Sequence, residues 1–423
     1  MKNKKPQILV SHPGKQYVHQ LCYALQQPGF LQVFLTSLWF KPNSAFFKLV
    51  AKLPAGARGK IEKLFKKKYF KPLEENRIVL LPLAESFRQV VNLVMDAHSE
   101  EWVFPVERMH DRAVARRLAK YNPDIVIGYE KSSLNTFKKA KELGKITVLD
   151  LAQVHYSHIG ALRNSYKDMG EIIKSEAFYE KINRIKAEEY QYVDYILTLS
   201  GYARETLLKA GIPAHKIFTV SLGFDPTLFR MKQAYHTGSP FRILFVGQIS
   251  NRKGVRMLLE AFKQLNLPDA QLTFVGSMAD SKKTMDEYPG LFTHVPFLLH
   301  DELVRYYQET DIFVFPSYLD SWAMTVVEAM ACGTPVVVTE HTGSKDAVRK
   351  GGGFVIPVDD IEALKEKILF FYHHRDQLPA MGKEAHRVAQ AYTWSNYYGQ
   401  IKQAMEEIWQ RETQNAIPAD LPA

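Results

Sequence analysis

Strand-length runs of apolar residues, each followed by a stretch long enough for a helix, constrain the fold of this 423-residue chain most. In the second half of the chain these runs are RILFVG, QLTFVG, HVPFL, DIFVFPS, TPVVVTE and GGFVIPV. The first half carries a less regular series: QILVS, QVFLT, RIVLLP, DIVIGY, ITVLDL, YILTLS and KIFTVS. The residues are apolar at successive positions and not at alternate ones, which indicates strands covered on both faces, as in parallel sheets. The sequence therefore predicts an α/β protein in which helices cover parallel sheets.

The two series of strands predict two doubly wound, Rossmann-like domains that face a central cleft. We expect the first domain at 1–225 and the second at 240–390, joined by a linker that ends at 236–240. A further predicted helix, at 394–411, is expected to pack back on the first domain. Open parallel sheets bind ligands outside the carboxyl ends of their strands, so functional residues should lie in the loops directly after strands.

Composition places the chain among ordinary globular proteins, with 46% hydrophobic and 24% charged residues. Two cysteines, Cys22 and Cys332, give no disulfide framework and fit a reducing compartment. No apolar run is long enough for a membrane span, and the run at 8–10 is too short for a signal peptide. We therefore expect a protein that is cytoplasmic or peripheral on the inner face of the cell membrane.

The net charge of +10 is concentrated in one segment, 41–72, which holds ten Lys or Arg against a single acidic residue, Glu62. Residues 44–73 predict two short basic amphipathic helices. Such a pair suits an anionic membrane surface, where each nearby Lys or Arg contributes about 1 kcal/mol; a solvated helical face packed on the domain is the alternative. Nucleic acid is disfavoured because no known motif accompanies the charge. The predicted membrane contacts are Lys60, Lys63, Phe65, Lys66, Lys67 and Lys68.

A first candidate phosphate site is the loop FVGQISNRKG, 245–254, which ends a strand at Gly247 and starts a helix near Gly254. A glycine at a strand end permits close approach of the backbone, and a helix N-terminus favours an anion. Arg252 and Lys253 would add positive charge. The alternative is a surface loop with solvated charges.

A second candidate is PSYLDSWAMTVVEAMACGTPVV, where Asp320 precedes Glu328 by eight positions. The predicted helix starts at 321–324, and the free N–H groups of its first turn would point at a bound group. About six residues of helix cover about 9 Å, the reach of a diphosphate with a sugar on each side. We expect the two carboxylates to hold hydroxyl groups of two different sugar rings. Taken singly, each carboxylate is more typical of a solvated or capping residue.

Together with SLGFDPTLF and EHTGSKDAVRKGGGFVIPVDD, these segments resemble the retaining, nucleotide-sugar-dependent glycosyltransferases of GT-B architecture, the glycosyl transferases group 1. The likeness covers about the last 210 residues well and the first domain in outline. It implies that Lys253 contacts the diphosphate of the donor, Glu328 holds its ribose, and Asp320 faces its sugar. The donor-binding residues implied are Gly247, Gln248, Arg252, Lys253, Asp320, Ser321, Ala323, Met324, Thr325 and Glu328.

Three residues depart from the pattern of that family. Gln248 stands where many members have Arg, Asp320 is one methylene shorter than the more frequent Glu, and Trp322-Ala323 replaces a Phe-Gly pair. These departures bear on donor specificity and on the geometry of the phosphate site more than on the reaction class.

The resemblance also implies retention of configuration without a metal or cofactor, with the leaving phosphate as base for the acceptor hydroxyl. Cationic and amide donors aimed at that phosphate would accelerate its departure. The residues predicted to be catalytic are Lys253, Asp320 and His155, the last in the loop after the strand ITVLDL. The residues predicted on the acceptor side are Gly14, Lys15, Glu130 and His158.

The leading hypothesis is transfer of a sugar from a nucleotide-diphosphate sugar to a glycan or lipid-linked acceptor, in cell-surface polysaccharide or glycolipid synthesis. One alternative is a soluble glycosyltransferase that acts on a small metabolite or a storage polysaccharide. Another is a nucleotide-binding module without catalytic turnover. A dinucleotide-dependent oxidoreductase or epimerase is disfavoured, since no G-x-G-x-x-G follows the first strand of either half.

Overall fold

The computed structural model describes residues 5–14, 17–37, 70–82, 100–170, 175–235 and 238–415, with the single positions 39, 52, 54 and 56. Lys15 and most of the basic segment lie outside these residues. The proposed membrane contacts Lys60, Lys63, Phe65, Lys66, Lys67 and Lys68 are among those not described. Their assignment stays a prediction.

Within the described residues, the first half forms a seven-stranded parallel sheet. Its strands are β1 (Ile8–Ser11), β2 (Leu31–Thr36), β3 (Ile78–Leu80), β4 (Ile125–Tyr129), β5 (Ile146–Leu151), β6 (Tyr195–Thr198) and β7 (Ile217–Thr219). They lie in the order β3-β2-β1-β4-β5-β6-β7. Val10, in β1, is paired with Phe34 on one side and Ile127 on the other. The order reverses beside β1, which is where open sheets of this kind form their binding crevice.

The second half forms a six-stranded parallel sheet within the same described ranges. Its strands are β8 (Phe241–Val246), β9 (Ala270–Val275), β10 (Thr293–Val295), β11 (Ile312–Phe315), β12 (Val336–Thr339) and β13 (Gly353–Ile356). They lie in the order β10-β9-β8-β11-β12-β13. All residues of β11 and β12 are buried, as their unbroken apolar sequence predicts. The predicted fold class, two Rossmann-like domains with parallel sheets, is confirmed.

Helices cover both sheets. In the described part of the chain they are α1 (Val18–Gln26), α2 (Glu100–Ala115), α3 (Leu118–Tyr121), α4 (Leu134–Glu142), α5 (Tyr156–Ser165), α6 (Lys167–Gly170), α7 (Glu176–Tyr190), α8 (Gly201–Lys209), α9 (Val255–Leu265), α10 (Lys282–Asp286), α11 (His300–Glu309), α12 (Met324–Ala331), α13 (Lys345–Val348), α14 (Ile361–His373), α15 (Leu378–Ala389) and α16 (Trp394–Asn415). Helix α12 carries Glu328 and begins at the end of the predicted first turn, 321–324. No helix of the described chain has the length and apolar character needed to cross a membrane.

The C-terminal helix α16 packs against α1 of the first sheet. The Tyr398 hydroxyl donates to Gln20 Oε1 at 2.5 Å, and the Tyr398 ring meets Tyr23 edge-on, with centroids 5.2 Å apart. The chain passes between the two sheets twice, once after β7 and once just before α16. The two passages touch where the Phe224 N–H donates to the Tyr392 carbonyl at 3.0 Å. A Cβ at Gly223 would lie 2.2 Å from the Thr393 backbone, so this close crossing requires glycine.

Candidate functional site

A cavity of about 1040 Å³ opens between the two sheets. Side chains of the first half, of the second half and of α16 all contribute to its wall. The residues that line it include Tyr17, Gln20, Ala152, Gln153, Asp225, Gly247, Gln248, Asp320, Ser321, Ala323, Met324, Thr325, Glu328, Trp394 and Tyr398. Its position at the carboxyl ends of the strands is the one expected for a ligand site in facing parallel sheets.

The loop after β8 brings Gly247 and Gln248 to the cavity wall. A short 3₁₀ turn at 251–253 follows, and α9 starts after Gly254, whose φ is 76°. A Cβ at Gly254 would lie 1.9 Å from the Pro316 carbonyl oxygen, so this glycine lets the start of α9 touch the end of β11. Arg252 does not line the cavity, and its guanidinium donates to the Leu319 carbonyl at 2.6 Å.

Lys253 lies beneath the cavity wall and not on it. Its side chain is buried, the residue being 8% exposed, and its ammonium group forms an ion pair with Asp320. Burial lowers the pKa of Lys253 to about 8, although the Asp320 carboxylate favours the charged form. Burial would raise the pKa of Asp320, but the Lys253 ammonium outweighs that effect and the pKa is lowered. The pair is therefore ionised at neutral pH, and Asp320, not Lys253, faces the cavity.

The Asp320 carboxylate also accepts hydrogen bonds from two backbone N–H groups at the start of α12. Asp320 Oδ1 accepts from the backbone N–H of Trp322 at 3.0 Å and of Ala323 at 2.7 Å. The predicted phosphate contact of the Ala323 amide is thus replaced in this structure by a bond to Asp320. Because the first N–H groups of a helix lack an intrahelical acceptor, those of Met324 and Thr325 remain for an anion in the cavity.

Ala323 adopts the left-handed conformation, with φ 60° and ψ 76°. The left-handed conformation costs an L-residue about 1–2 kcal/mol, and glycine adopts it readily. The departure noted in the sequence, Ala for Gly, therefore falls on a residue whose backbone favours glycine. The strain lies beside the candidate phosphate site.

Glu328 is 3% exposed, and its carboxylate lines the cavity. The Tyr307 hydroxyl donates to Glu328 Oε2 at 3.0 Å, and Tyr307 itself is fully buried. Burial raises the pKa of Glu328 to about 7, which the bond from Tyr307 offsets in part. The cost of burying this carboxylate in an apolar helix is therefore reduced in two ways: it accepts one hydrogen bond, and it is partly protonated at neutral pH.

His155, predicted to be catalytic, does not belong to the residues that line the cavity. Its Nδ1 lies 2.7 Å from Ser157 Oγ and accepts from the Ser157 N–H, so the imidazole caps α5. The residues of this loop that reach the cavity are Ala152 and Gln153, directly after β5. Proximity to the end of the strand is the sequence signal for these two residues, whereas His155 lies farther along the loop and does not line the cavity. The catalytic role of His155 stays a prediction.

The other predicted acceptor-side residues take part in contacts away from the cavity wall. Glu130 forms an ion pair with Lys186 at 2.6 Å. His158 Nε2 lies 2.9 Å from the Tyr202 hydroxyl, and burial lowers the pKa of His158 to about 4. The Gly14 N–H donates to the His12 imidazole at 2.8 Å.

Contacts across the cleft converge on Ser321. Its hydroxyl donates to the Ala152 carbonyl at 2.5 Å, and its own carbonyl accepts from the Ser200 hydroxyl at 2.7 Å. Next to them, the Gly201 N–H donates to Asp346 Oδ2 at 2.7 Å. Ser321, predicted to bind the donor, thus joins the two sheets at the cavity edge.

Two absences characterise the described residues. None of the described residues lining the cavity is Lys or Arg, so positive potential at its wall comes from the start of α12 and from buried Lys253. No group of three His, Cys, Asp or Glu residues in the described ranges has the arrangement of a metal site.

Residues 229–388 match the family model "Glycosyl transferases group 1". The second domain is a glycosyl transferases group 1 domain. This match includes the loop after β8 and both acidic residues, Asp320 and Glu328, so the resemblance inferred from the motifs is confirmed for this part of the chain.

Curated relatives share a quarter to a third of their aligned residues with the chain. An amylovoran biosynthesis glycosyltransferase, AmsK of Erwinia amylovora, is 24% identical over 61% of this chain and 70% of its own length. The sulfoquinovosyl transferase SQD2 of Arabidopsis thaliana is 27% identical over 48% of this chain and 43% of its length. A D-inositol 3-phosphate glycosyltransferase of Corynebacterium urealyticum is 29% identical over 59% of this chain and 64% of its length. The alignments thus cover between 43% and 70% of the lengths of these three relatives.

Solved structures match almost the whole chain. Sucrose-phosphate synthase from Thermosynechococcus elongatus superposes with a TM-score of 0.69 at 19% identity, over 96% of this chain and 100% of that one. Anabaena HepE in complex with UDP and glucose gives 0.62 at 15%, over 95% and 100%. WaaG, a glycosyltransferase involved in lipopolysaccharide biosynthesis, gives 0.62 at 15%, over 95% and 99%. The fold of the chain is therefore GT-B.

Proposed function

We propose that the protein is a glycosyltransferase that moves a sugar from a nucleotide-diphosphate sugar to a glycan or lipid-linked acceptor. The observation that carries the proposal is the order of groups along one cavity wall: Asp320, the open start of α12, then Glu328. A sugar, a diphosphate and a ribose follow in the same order along a nucleotide sugar. AmsK and WaaG, named for polysaccharide and lipopolysaccharide synthesis, support a role in cell-surface polysaccharide or glycolipid synthesis.

In this proposal each group of the wall has one task. Glu328 accepts hydrogen bonds from ribose hydroxyls, and the N–H groups of Met324 and Thr325, with Gln248, bind phosphate oxygens. Asp320 accepts from hydroxyls of the donor sugar and is held in place by buried Lys253. Lys253 acts on the phosphates through its charge, from behind the wall.

The proposed reaction retains configuration and uses no metal or cofactor. Negative charge grows on the terminal phosphate as the nucleoside diphosphate leaves, and preorganised amides and a buried cation stabilise that charge. The leaving phosphate then takes the proton of the acceptor hydroxyl, so a glycosidase-like carboxylate pair is not required. The contacts of Ser321 with Ala152 and Ser200 keep the cleft closed beside the site, which limits hydrolysis of the donor.

For the acceptor we favour a glycan or lipid-linked glycan at the cytoplasmic face of a membrane, approached through the basic segment 44–73. Flotation with anionic vesicles tests this part: Lys66, Lys67 and Lys68 changed to Glu should abolish binding. Activity on a soluble metabolite with no vesicle binding would favour the alternative of a soluble glycosyltransferase.

The donor half of the proposal is tested with a panel of UDP- and GDP-sugars, using thermal shift for binding and release of nucleoside diphosphate for turnover. A ligand raises stability by RT ln(1 + [L]/Kd), so weak donors are detectable. We expect one donor to bind and to be slowly hydrolysed, and Lys253→Ala and Glu328→Gln to hydrolyse it more slowly than the wild type. The control is Glu309→Ala, an exposed site on α11.

Binding without turnover in the wild type, with or without glycan acceptors, would favour a nucleotide-binding module instead. Equal turnover in the wild type and Lys253→Ala would show that the ion pair of Lys253 with Asp320 does not contribute to the reaction. Melting curves recorded without ligand separate lost turnover from lost folding.

A further inference from the structure

We propose that the C-terminal helix provides an aromatic platform on which a sugar ring of the acceptor stacks, with Trp394 and Tyr398 as the stacking residues. The inference rests on the proposed function and names a subsite and a ligand class for its acceptor. The platform consists of Trp394 and Tyr398, which lie on α16 outside the segment that matches the family model.

The positions of the two rings follow from helix geometry. Residues four apart lie on one face of a helix, so the two side chains stand one above the other. Both are half-buried, and both line the cavity, on the part of the wall formed where α16 packs against α1. Tyr17 and Gln20, at the start of α1, line the same cavity.

Each ring is held in position by neighbours. The Tyr398 hydroxyl donates to Gln20 Oε1, and its ring packs edge-on against Tyr23. The Trp394 ring packs edge-on against buried Tyr397 with centroids 5.6 Å apart, and the backbone of Trp394 is fixed by its amide N–H, which donates to the Phe224 carbonyl at 3.1 Å. Rings that are fixed before binding lose little conformational entropy when a ligand arrives.

The chemistry of this wall fits a pyranose better than a lipid chain. The face of an aromatic ring is electron-rich and attracts the C–H groups that one side of a pyranose presents. The hydroxyl groups around the same sugar need polar partners, and Gln153 and Asp225 line the cavity as well. A lipid chain would offer no hydrogen-bond partner to exposed Gln153, or to the Asp225 carboxylate beyond the bonds that Asp225 Oδ1 already accepts from Thr227.

Charge and size also favour an uncharged second sugar. No described residue on the cavity wall is Lys or Arg, which disfavours an anionic acceptor group at the platform. A volume of about 1040 Å³ is at the top of the range for one ligand, about 300–1,000 Å³. The cavity therefore has room for a second sugar beside a donor held by Asp320 and Glu328.

The experiment is saturation-transfer difference NMR in the presence of UDP, with the methyl α-D-pyranosides of glucose, galactose, mannose and N-acetylglucosamine as probes. We expect at least one glycoside to bind, with the strongest transfer to C–H groups of one ring face. Trp394→Leu and Tyr398→Leu keep apolar volume but remove the aromatic face, and should weaken binding at least about tenfold, the equivalent of 1.4 kcal/mol. Trp394→Phe keeps a ring and should retain most of the affinity.

Lys402→Gln, an exposed change on the same helix, is the matched control and should bind like the wild type. Hydrolysis of the donor by water, measured in the wild type, separates the two proposals because it needs no acceptor. Glycoside binding without any donor turnover would overturn the proposed function but would still support the aromatic platform. The platform is overturned if no glycoside binds the wild type, if uridine displaces the bound glycoside, or if folded Trp394→Leu binds it normally.

Discussion

We expect the activity of the protein to depend on pH through the protonation of Glu328. Its pKa of about 7 lies below that of Lys253, about 8, so both groups are charged only in a narrow window. The kcat/KM for the donor should follow a bell with limbs near pH 7 and pH 8, because that parameter reports the free enzyme. Glu328→Gln should lower kcat/KM about 10- to 100-fold, the value of a hydrogen bond to a charged group, and remove the acidic limb. An acidic limb that survives in Glu328→Gln would assign it to another group.

The same carboxylate should reduce stability at high pH. Its pKa is raised from 4.5 in the unfolded chain to about 7 in the fold, so the folded state binds the proton more tightly. Stability is then fully present below pH 4.5 and falls as the pH rises to 7, by about 3 kcal/mol at 1.36 kcal/mol per pKa unit. Glu328→Gln should therefore unfold at higher urea concentration than the wild type at pH 8, and this advantage should vanish near pH 4.5. An equal difference at both pH values would contradict the shift.

Ala323 carries a backbone strain that glycine would relieve. Ala323→Gly removes about 1–2 kcal/mol of left-handed strain and loses about 0.4–1 kcal/mol through the freer unfolded chain. We expect a net gain of roughly 0.5 kcal/mol in urea unfolding, with donor affinity unchanged within about twofold. The matched control is Ala329→Gly, in the helical interior of α12, which should lose about 1 kcal/mol or more. A loss in both variants would show that the φ of Ala323 carries no strain.

At the scale of elements, the strands were the part most accessible from sequence. The strands within the runs DIFVFPS and TPVVVTE are almost entirely apolar because both faces of β11 and β12 are covered, and the structure buries every residue of these two strands. The loops that end these strands could be placed for the same reason. Asp320 and Glu328 could be predicted as site residues because both lie at the start of one helix, so their positions relative to each other follow from neighbouring residues alone.

What the sequence did not reveal depends on side-chain direction and on long-range packing. His155 and Gln153 lie two residues apart in one loop, and only the backbone path directs one into the cap of α5 and the other to the cavity. Arg252 and Lys253 belong to the candidate phosphate loop, yet neither lines the cavity: Arg252 donates to the Leu319 carbonyl and Lys253 pairs with Asp320 from behind the wall. Trp394 and Tyr398 carry a visible four-residue spacing, but their contribution to the wall requires α16 to lie on α1, about 380 residues earlier.

At the scale of the whole molecule, the closed cleft depends on a close contact at Gly343. A Cβ there would lie 1.9 Å from the Ser321 carbonyl oxygen and 2.7 Å from Ser200 Oγ. Gly343→Ala should therefore separate the loops, enlarge the radius of gyration in small-angle X-ray scattering, and raise donor hydrolysis relative to transfer. Gly399→Ala, on the exposed face of α16 with no atom within 4 Å of the added Cβ, is the control and should be neutral or stabilising. Identical scattering from Gly343→Ala and the wild type would show that the contact does not hold the cleft closed.

A crystal structure of the protein with its nucleotide-sugar donor tests the central claim most directly. The account predicts ribose hydroxyls within hydrogen-bond distance of Glu328, phosphate oxygens at the N–H groups of Met324 and Thr325, and the donor sugar at Asp320. A donor bound elsewhere, or bound in this cavity with Glu328 and the start of α12 not in contact with it, would contradict the account.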